Sequence, residues 1–177
     1  MSVWLLEYEG FDPEEEPLRE ALCTLGNGYM ATRGAVPENR AGGCHYPGTY
    51  RAGCFNRLET TIGEHTVENE SLVNLPNWLF VSFRPEGGEW FDADNVEILS
   101  YRQELDVKRG ELLRKIHCRF PGGPECRVAQ RRFVSMADPH LAGLETTVQP
   151  LGWSGTFRFR TDLDGRVVNG NVARYSD

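Results

Sequence analysis

The chain lacks the cysteine spacing that would organise a fold by itself. Cys23, Cys44, Cys54, Cys118 and Cys126 are odd in number and contain no Cys-x-x-Cys pair. Neither a disulfide framework nor a zinc site follows from that arrangement. Reduced thiols and a cytoplasmic setting are the expectation. Long apolar runs are missing too: no stretch approaches the ~20 residues of a membrane-spanning helix, so no membrane partner is expected. Residues 1–6 carry no basic start, and Glu7 interrupts the apolar run, so no secretory signal is read there. The sequon Asn69-Glu70-Ser71 is then idle. Positive charge is the minority, with 19 Lys and Arg against 26 Asp and Glu and a formal net charge of -7. That argues against a nucleic acid or an anionic membrane surface as partner. His45, His65, His117 and His140 are scattered without ligand spacing, so no metal is expected.

What is there suits one soluble domain over residues 1–177. The length of 177 residues allows burial of roughly 70% of the unfolded surface, enough for a core without staples. Hydrophobic residues make up 40% and charged ones 25%, as in an ordinary globular protein.

The periodicity is that of strands. Residues 4–8 read as a first strand and residues 18–25 as one or two helical turns. Residues 49–56 read as extended, and residues 57–69 as strand or loop. Residues 78–83 read as a strand, with 89–91 returning from the turn Pro85-Glu86-Gly87-Gly88 to make a hairpin. The second half is more regular. Residues 96–107 and 111–120 flank Lys108-Arg109-Gly110. Leu112, Ile116, Cys118 and Phe120 share one face, while Arg114 spoils the alternation. Residues 126–135, 140–150 and 156–163 follow, separated by Pro121-Gly122-Gly123-Pro124, Asp138-Pro139 and Gly152 to Gly155. Period-two strands at short spacing predict an all-β antiparallel β-sandwich, supersandwich-like, with at most one or two short helices.

The rest is arranged around Leu25-Gly26-Asn27-Gly28-Tyr29-Met30-Ala31-Thr32-Arg33-Gly34. Its glycines predict a sharp entry and exit around a short strand over residues 29–33. Tyr29 and Arg33 then lie on one face. Side by side they could grip a planar or hydroxyl-rich group; alternatively Tyr29 packs in a core and Arg33 meets a carboxylate. Gly26-x-Gly28-x-x-Ala31 fits a dinucleotide fingerprint in form only. No helix can follow through Ala-Val-Pro-Glu-Asn-Arg-Ala-Gly-Gly, and no acid stands about twenty residues on.

No catalytic constellation emerges. Asp92-Ala93-Asp94 begins like a calcium loop, but Val96 and Gln103 occupy later ligand positions. Gly152-Trp153-Ser154-Gly155 begins like a nucleophile elbow, but Thr156 replaces the second glycine. Asp162 and Asp164 flank a turn. The better prospects are aromatic residues beside amides: Asn74, Asn77 and Trp78, and again Asn27, Tyr29 and Arg33. Sugars stack on such rings and bond such amides. The competing reading is core packing for the rings and turn-holding for the asparagines. A stand-alone carbohydrate-binding or interaction module is therefore one candidate function.

The motifs also resemble, in order, the N-terminal domain of glycoside hydrolase family 65, the family of maltose, trehalose and kojibiose phosphorylases. They are Leu25-Gly26-Asn27-Gly28-Tyr29 with Arg33-Gly34, then Gly48-Thr49-Tyr50 with Ala52-Gly53. Leu72-Val73-Asn74-Leu75-Pro76-Asn77-Trp78 follows, then Leu105-Asp106 with Arg109-Gly110 and Arg114. The last are Arg132-Phe133-Val134-Ser135-Met136-Ala137-Asp138 and Leu163-Asp164-Gly165 with Val168-Asn169. The resemblance implies a β-sandwich packed on an (α/α)6 barrel that carries the acid glutamate and the phosphate and sugar pockets. It implies a homodimeric parent acting by inversion on an α-glucosyl disaccharide. Inorganic phosphate is its co-substrate if it is a phosphorylase, and no other cofactor is implied. No catalytic residue transfers to this chain, so no activity is expected from it alone. Asn27, Tyr29, Arg33, Asn74, Asn77 and Trp78 are the candidate sugar or barrel contacts. The long loop departs most from the family pattern over residues 40–45, so residues 40–46 are where substrate preference would be affected. Residues 169–177 carry no cap or stop signal, which fits a domain that continues into a longer protein.

Overall fold

The computed structural model describes residues 3–93, 96–167 and 169. Asp94 of the rejected calcium loop, and Val168 and 170–177 of the terminal motifs, lie outside the described residues. The strands are β1 (Leu5–Glu9), β2 (Leu25–Gly26), β3 (Met30–Thr32), β4 (Thr49–Arg51), β5 (Phe55–Ile62) and β6 (His65–Leu72). They continue with β7 (Val81–Pro85), β8 (Glu97–Asp106), β9 (Glu111–Arg119), β10 (Glu125–Val134), β11 (Ala142–Leu151) and β12 (Phe157–Thr161). One short helix, α1 (Glu16–Leu22), interrupts them. The expected all-β architecture is thus the observed one.

The main layer is a five-stranded antiparallel sheet in the order β1-β8-β9-β10-β11. Hairpins join β8, β9, β10 and β11, because each connection is short and closed by glycine, proline or aspartate turns. Gly110, at φ +67°, closes the β8–β9 turn in a conformation that a side chain would strain. The opposing layer is assembled from smaller pieces, β7 with β12 and β2 with β3 and β4. Two apolar clusters lie between the layers. In one, Tyr101, Ile116, Cys118 and Val128 of the large sheet pack on Phe83, Phe91, Phe120 and Val36. In the other, Leu105, Leu112 and Val134 pack on Cys23 and Leu25.

One local expectation changes, and one open alternative resolves as strand. Residues 89–91 do not return as a strand; β7 pairs instead with β12, placing Phe83 opposite Phe159. The segment still touches β7, through Phe91 N–H to the Phe83 carbonyl at 2.8 Å and the Ser82 hydroxyl to the Phe91 carbonyl at 3.0 Å. Residues 57–69 belong to a long hairpin, β5–β6, whose every residue is exposed.

Helix α1 is inverted relative to an ordinary amphipathic helix. Glu16, Arg19 and Glu20 are buried, while Leu18 and Leu22 are 55% and 50% exposed. Their partners are at hand: Glu20 meets His45 and the Tyr46 N–H, and Arg19 meets the Gly10 carbonyl and Glu16.

Candidate functional site

Arg114 does not spoil the alternation of β9. It sits in phase with Leu112, Ile116 and Cys118 and is buried with them. Its cross-strand partners are Gln103 on β8 and Gln130 on β10. Gln103 in turn faces Tyr8 on β1, and Gln130 faces Thr146 on β11. Residues opposite one another share a face, so Tyr8, Gln103, Arg114, Gln130 and Thr146 form one polar row across the inner side of the sheet. The row runs between the two apolar clusters.

Buried polar groups need partners, and the loop over residues 33–48 supplies some of them, while Gln103 Nε2, Arg114 Nε and Nη1 and Gln130 Oε1 make no hydrogen bond among the described residues. Glu38, 4% exposed, ion-pairs with Arg114 and accepts from Gln130 Nε2 at 2.6 Å. Gln130 Nε2 also reaches Thr146 Oγ1 at 3.3 Å. Arg132, one step along β10, donates to the Arg33 and Ala35 carbonyls at 3.0 and 2.8 Å. From α1, Glu20 accepts from the Tyr46 N–H at 2.8 Å and lies 3.2 Å from His45 Nδ1. Farther out, Asn39 donates to Asp92 at 2.9 Å, and Arg40 pairs with both Asp162 and Asp164. A long loop inside a compact fold is thereby fastened at nearly every second residue.

The electrostatics follow from burial. Burial alone would lower the pKa of Arg114, but Glu38, Tyr101 and Glu16 outweigh it and hold the guanidinium above its ordinary value. Among the described residues Arg132 donates only to backbone carbonyls. Burial, with Arg114 nearby, brings it down to about 10. Burial also pushes Glu16 up, against the pull of Arg19 and Arg114. Asp164 is held well below the carboxylate range, first by its hydrogen bond from Arg166 and then by that from Arg40.

Of the residues singled out in the sequence, Arg33 and Asn74 bond to this loop. Asn27 holds the β2–β3 turn: its Oδ1 accepts the Tyr29 and Met30 N–H groups at 3.0 Å each, and its Nδ2 donates to the Ser135 carbonyl at 2.6 Å. Tyr29 and Arg33 do not stand together. Tyr29 accepts from Arg51 Nε at 2.8 Å and meets the His140 ring edge-on at 4.5 Å. Arg33 stacks on Tyr46, at 4.8 Å from the ring centre, and donates to the Tyr46 carbonyl at 2.9 Å. Asn74 binds the same loop, accepting from Thr49 N–H at 3.0 Å and donating to the Pro47 carbonyl at 3.2 Å. Asn77 is buried, holds Leu79 N–H at 3.0 Å and bridges to Asp164 through its backbone. Trp78 is half-buried, and its indole N–H finds no hydrogen-bond acceptor among the described residues. The loop thus joins Arg33 to Asn74, whereas Tyr29 stands apart.

Where Arg40 leaves the loop, a cleft of about 450 Å³ opens beside it. Asn39, Arg40, Phe80, Trp90, Asp92 and Arg160 are among its lining residues. Arg40 lies 4.0 Å from the centre of the Phe80 ring, and Arg160 lies 4.2 Å from that of Trp90. No group of three or more metal-ligating side chains occurs among the described residues. Sequence reading assigns no role to Glu38, Gln130 or Glu20, and marks Arg132 only within the family motif and His45 only within residues 40–46. The available signal was polar residues at inward positions: Gln130 and Arg132 are in phase with Cys126, Val128 and Val134.

The family model described as glycosyl hydrolase family 65, N-terminal domain, matches residues 6–177. The chain belongs to that family as its N-terminal domain. It is 51% identical over 172 residues to an uncharacterized glycosyl hydrolase of Mycobacterium tuberculosis, covering 97% of this chain and 13% of that protein. It is 33% identical over 175 residues to the kojibiose phosphorylase of Halothermothrix orenii, covering 97% of this chain and 21% of the enzyme. In structure, the family 65 domain superposes on a putative kojibiose phosphorylase from human microbiome with a TM-score of 0.84. That match has 20% identity and covers 93% of this chain and 22% of the other. The family 65 domain therefore spans roughly a fifth or less of the relatives it matches.

Proposed function

We propose that the chain serves as the non-catalytic N-terminal domain of a longer family 65 enzyme acting on an α-linked glucosyl disaccharide. In this reading the domain packs on the enzyme's catalytic (α/α)6 barrel and supports the active-site cleft or a homodimer contact. Inorganic phosphate is the co-substrate where the parent is a phosphorylase.

The observation that carries the reading is one of proportion. Nearly all of this chain, 97%, aligns with 21% of a kojibiose phosphorylase, so a relative's chemistry has most of its length elsewhere. The surface supports the same reading. Leu58, Ile62 and Val67 share one face of the β5–β6 hairpin, because Leu58 lies opposite Asn69, Thr60 opposite Val67 and Ile62 opposite His65. The other face carries Arg57, Glu59, Glu68 and Glu70, with Arg57 Nε 3.3 Å from Glu68 and 3.5 Å from Glu70. A two-stranded hairpin is marginal in water by itself, so an apolar face of this kind wants a cover. Leu18 and Leu22, one helical turn apart on α1, offer a second apolar strip.

The test is turnover. The chain alone and the longer protein that contains it are each supplied with kojibiose, trehalose or maltose, with and without inorganic phosphate. Sugar phosphate or free glucose is expected from the longer protein and none from the chain alone. Turnover by the chain alone would overturn the proposal.

A further inference from the structure

Cys118 on β9 and Cys126 on β10 are direct cross-strand partners. Opposed residues in an antiparallel pair have Cα atoms about 4.5–5.5 Å apart. A disulfide needs about 4.4–6.8 Å, so the backbone already satisfies it. The side chains point at each other, with the sulfurs 3.4 Å apart. Cys118 Sγ also lies 3.8 Å from the Cys126 carbonyl, which can accept its S–H. The sulfurs must close from that separation to the ~2.05 Å of a disulfide. Cys23 and Cys54 have no sulfur–sulfur contact of this kind among the described residues, and Cys44 Sγ lies 3.6 Å from His45 Nε2. We infer that Cys118 and Cys126 form a dithiol site that low-molecular-weight disulfides oxidise to an internal disulfide.

The chemistry balances in two exchanges. After its proton leaves to solvent, the Cys126 thiolate attacks one sulfur of the small disulfide. The reagent's S–S bond breaks, a Cys126 mixed disulfide forms, and a small thiolate departs and takes up a proton. Cys118 then loses its proton and attacks Cys126 Sγ. The second small thiol leaves and the Cys118–Cys126 bond remains. Two protein thiols are oxidised, and one small disulfide is reduced to two thiols. Either sulfur can be the donor in their contact, so the same disulfide forms with the two roles exchanged.

Both thiols are 0% exposed, so access requires opening. The route is the end of the hairpin. Only Arg119 and Phe120 on one side and Glu125 on the other separate the pair from the turn Pro121-Gly122-Gly123-Pro124. The first three residues of that turn are exposed. Opening there must lift Phe120, 3% exposed, out of the first apolar cluster, so access is a local unfolding step. The half-buried Cys44 and Cys54 need no such opening and react first.

The probe is oxidised glutathione on the chain under native conditions, followed by alkylation of remaining thiols and peptide mapping. The expected product is a Cys118–Cys126 disulfide, with a mass loss of about 2 Da at that peptide pair, appearing after adducts at Cys44 and Cys54. The same treatment in denaturant is expected to scatter the pairing. The variant Cys118→Ser is expected to stop at a glutathione adduct on Cys126. The inference fails if Cys118 and Cys126 remain alkylatable after Cys44 and Cys54 are fully modified. It fails equally if the mapped native disulfide contains Cys23, Cys44 or Cys54.

Discussion

Glu38 and Arg114 form an ion pair in which neither side chain is more than 5% exposed. One end belongs to a loop, the other to the centre of the large sheet. Removing one partner of such a pair leaves a charge buried without compensation, which costs about 3–5 kcal/mol. Glu38→Ala is therefore expected to lower the unfolding free energy by roughly that amount, measured by urea denaturation with circular dichroism. The paired replacement Glu38→Met with Arg114→Met is expected to recover most of the loss. Equal losses for the single and paired variants would contradict this account.

Asp164 gives the pH dependence a sign. Its carboxyl is held below its usual value of 3.8 by Arg166 and Arg40. A depressed carboxylate pKa contributes stability that is present above the unfolded value and lost as pH falls through the folded one. Asp164→Asn is expected to cost about 1–3 kcal/mol near neutral pH. The gap between the two proteins should narrow as pH is lowered below 3.8. Denaturation midpoints across acid pH measure it; a gap independent of pH would refute the assignment.

Gly34 is required for a different reason from Gly28. Gly28 turns the chain at φ +85°. A Cβ on Gly34 would lie 2.6 Å from the Cys23 Cβ and 3.0 Å from the Cys23 carbonyl oxygen. Gly34→Ala is expected to cost about 1–3 kcal/mol through overpacking, read from the denaturation midpoint. A neutral result would mean that the end of α1 moves freely away from the loop.

The hairpin face tests the proposed place of the chain in a longer protein. Replacing Leu58, Ile62 and Val67 together by serine is expected to change the stability of the chain alone by less than about 0.5 kcal/mol per site, as for exposed positions generally. In a longer protein that contains the chain, as proposed, the same triple variant is expected to lower the thermal midpoint or weaken domain docking. Calorimetry on both proteins decides: equal small effects in both would show that nothing covers this face.

Much of the fold was legible because sheet alternation is local. Leu112, Ile116 and Cys118 announced an inward face, and Lys108-Arg109-Gly110 announced the turn before it. What escaped was whatever depends on partners distant in sequence. Residues 78–83 looked ready to pair with 89–91, yet the strand that pairs with Phe83 brings Phe159. Arg114 read as an error because its compensating charge, Glu38, comes from a loop 76 residues away. The candidate site was legible only in part. Asn27, Arg33 and Asn74 were found by type, but their bonds to Ser135, Tyr46 and Pro47 fix the backbone. Tyr29 was placed beside Arg33 by strand phase, whereas β3 ends at Thr32 and Arg33 turns toward Tyr46.

The polar row has a consequence for how the strands find their places. Alternation of apolar and polar residues excludes a slip of one position, since that would turn each face inside out. It does not exclude a slip of two. If β9 slid two residues along β10, Arg114 would stand opposite either Val128 or Arg132. The first strands a guanidinium beside an aliphatic side chain, and the second sets two cations against each other in the interior. Only the native alignment gives Arg114 an amide on both sides and a carboxylate above. The row thus works as a key cut across the sheet, costly in buried charge and rejecting near-miss alignments that the hydrophobic pattern alone would accept.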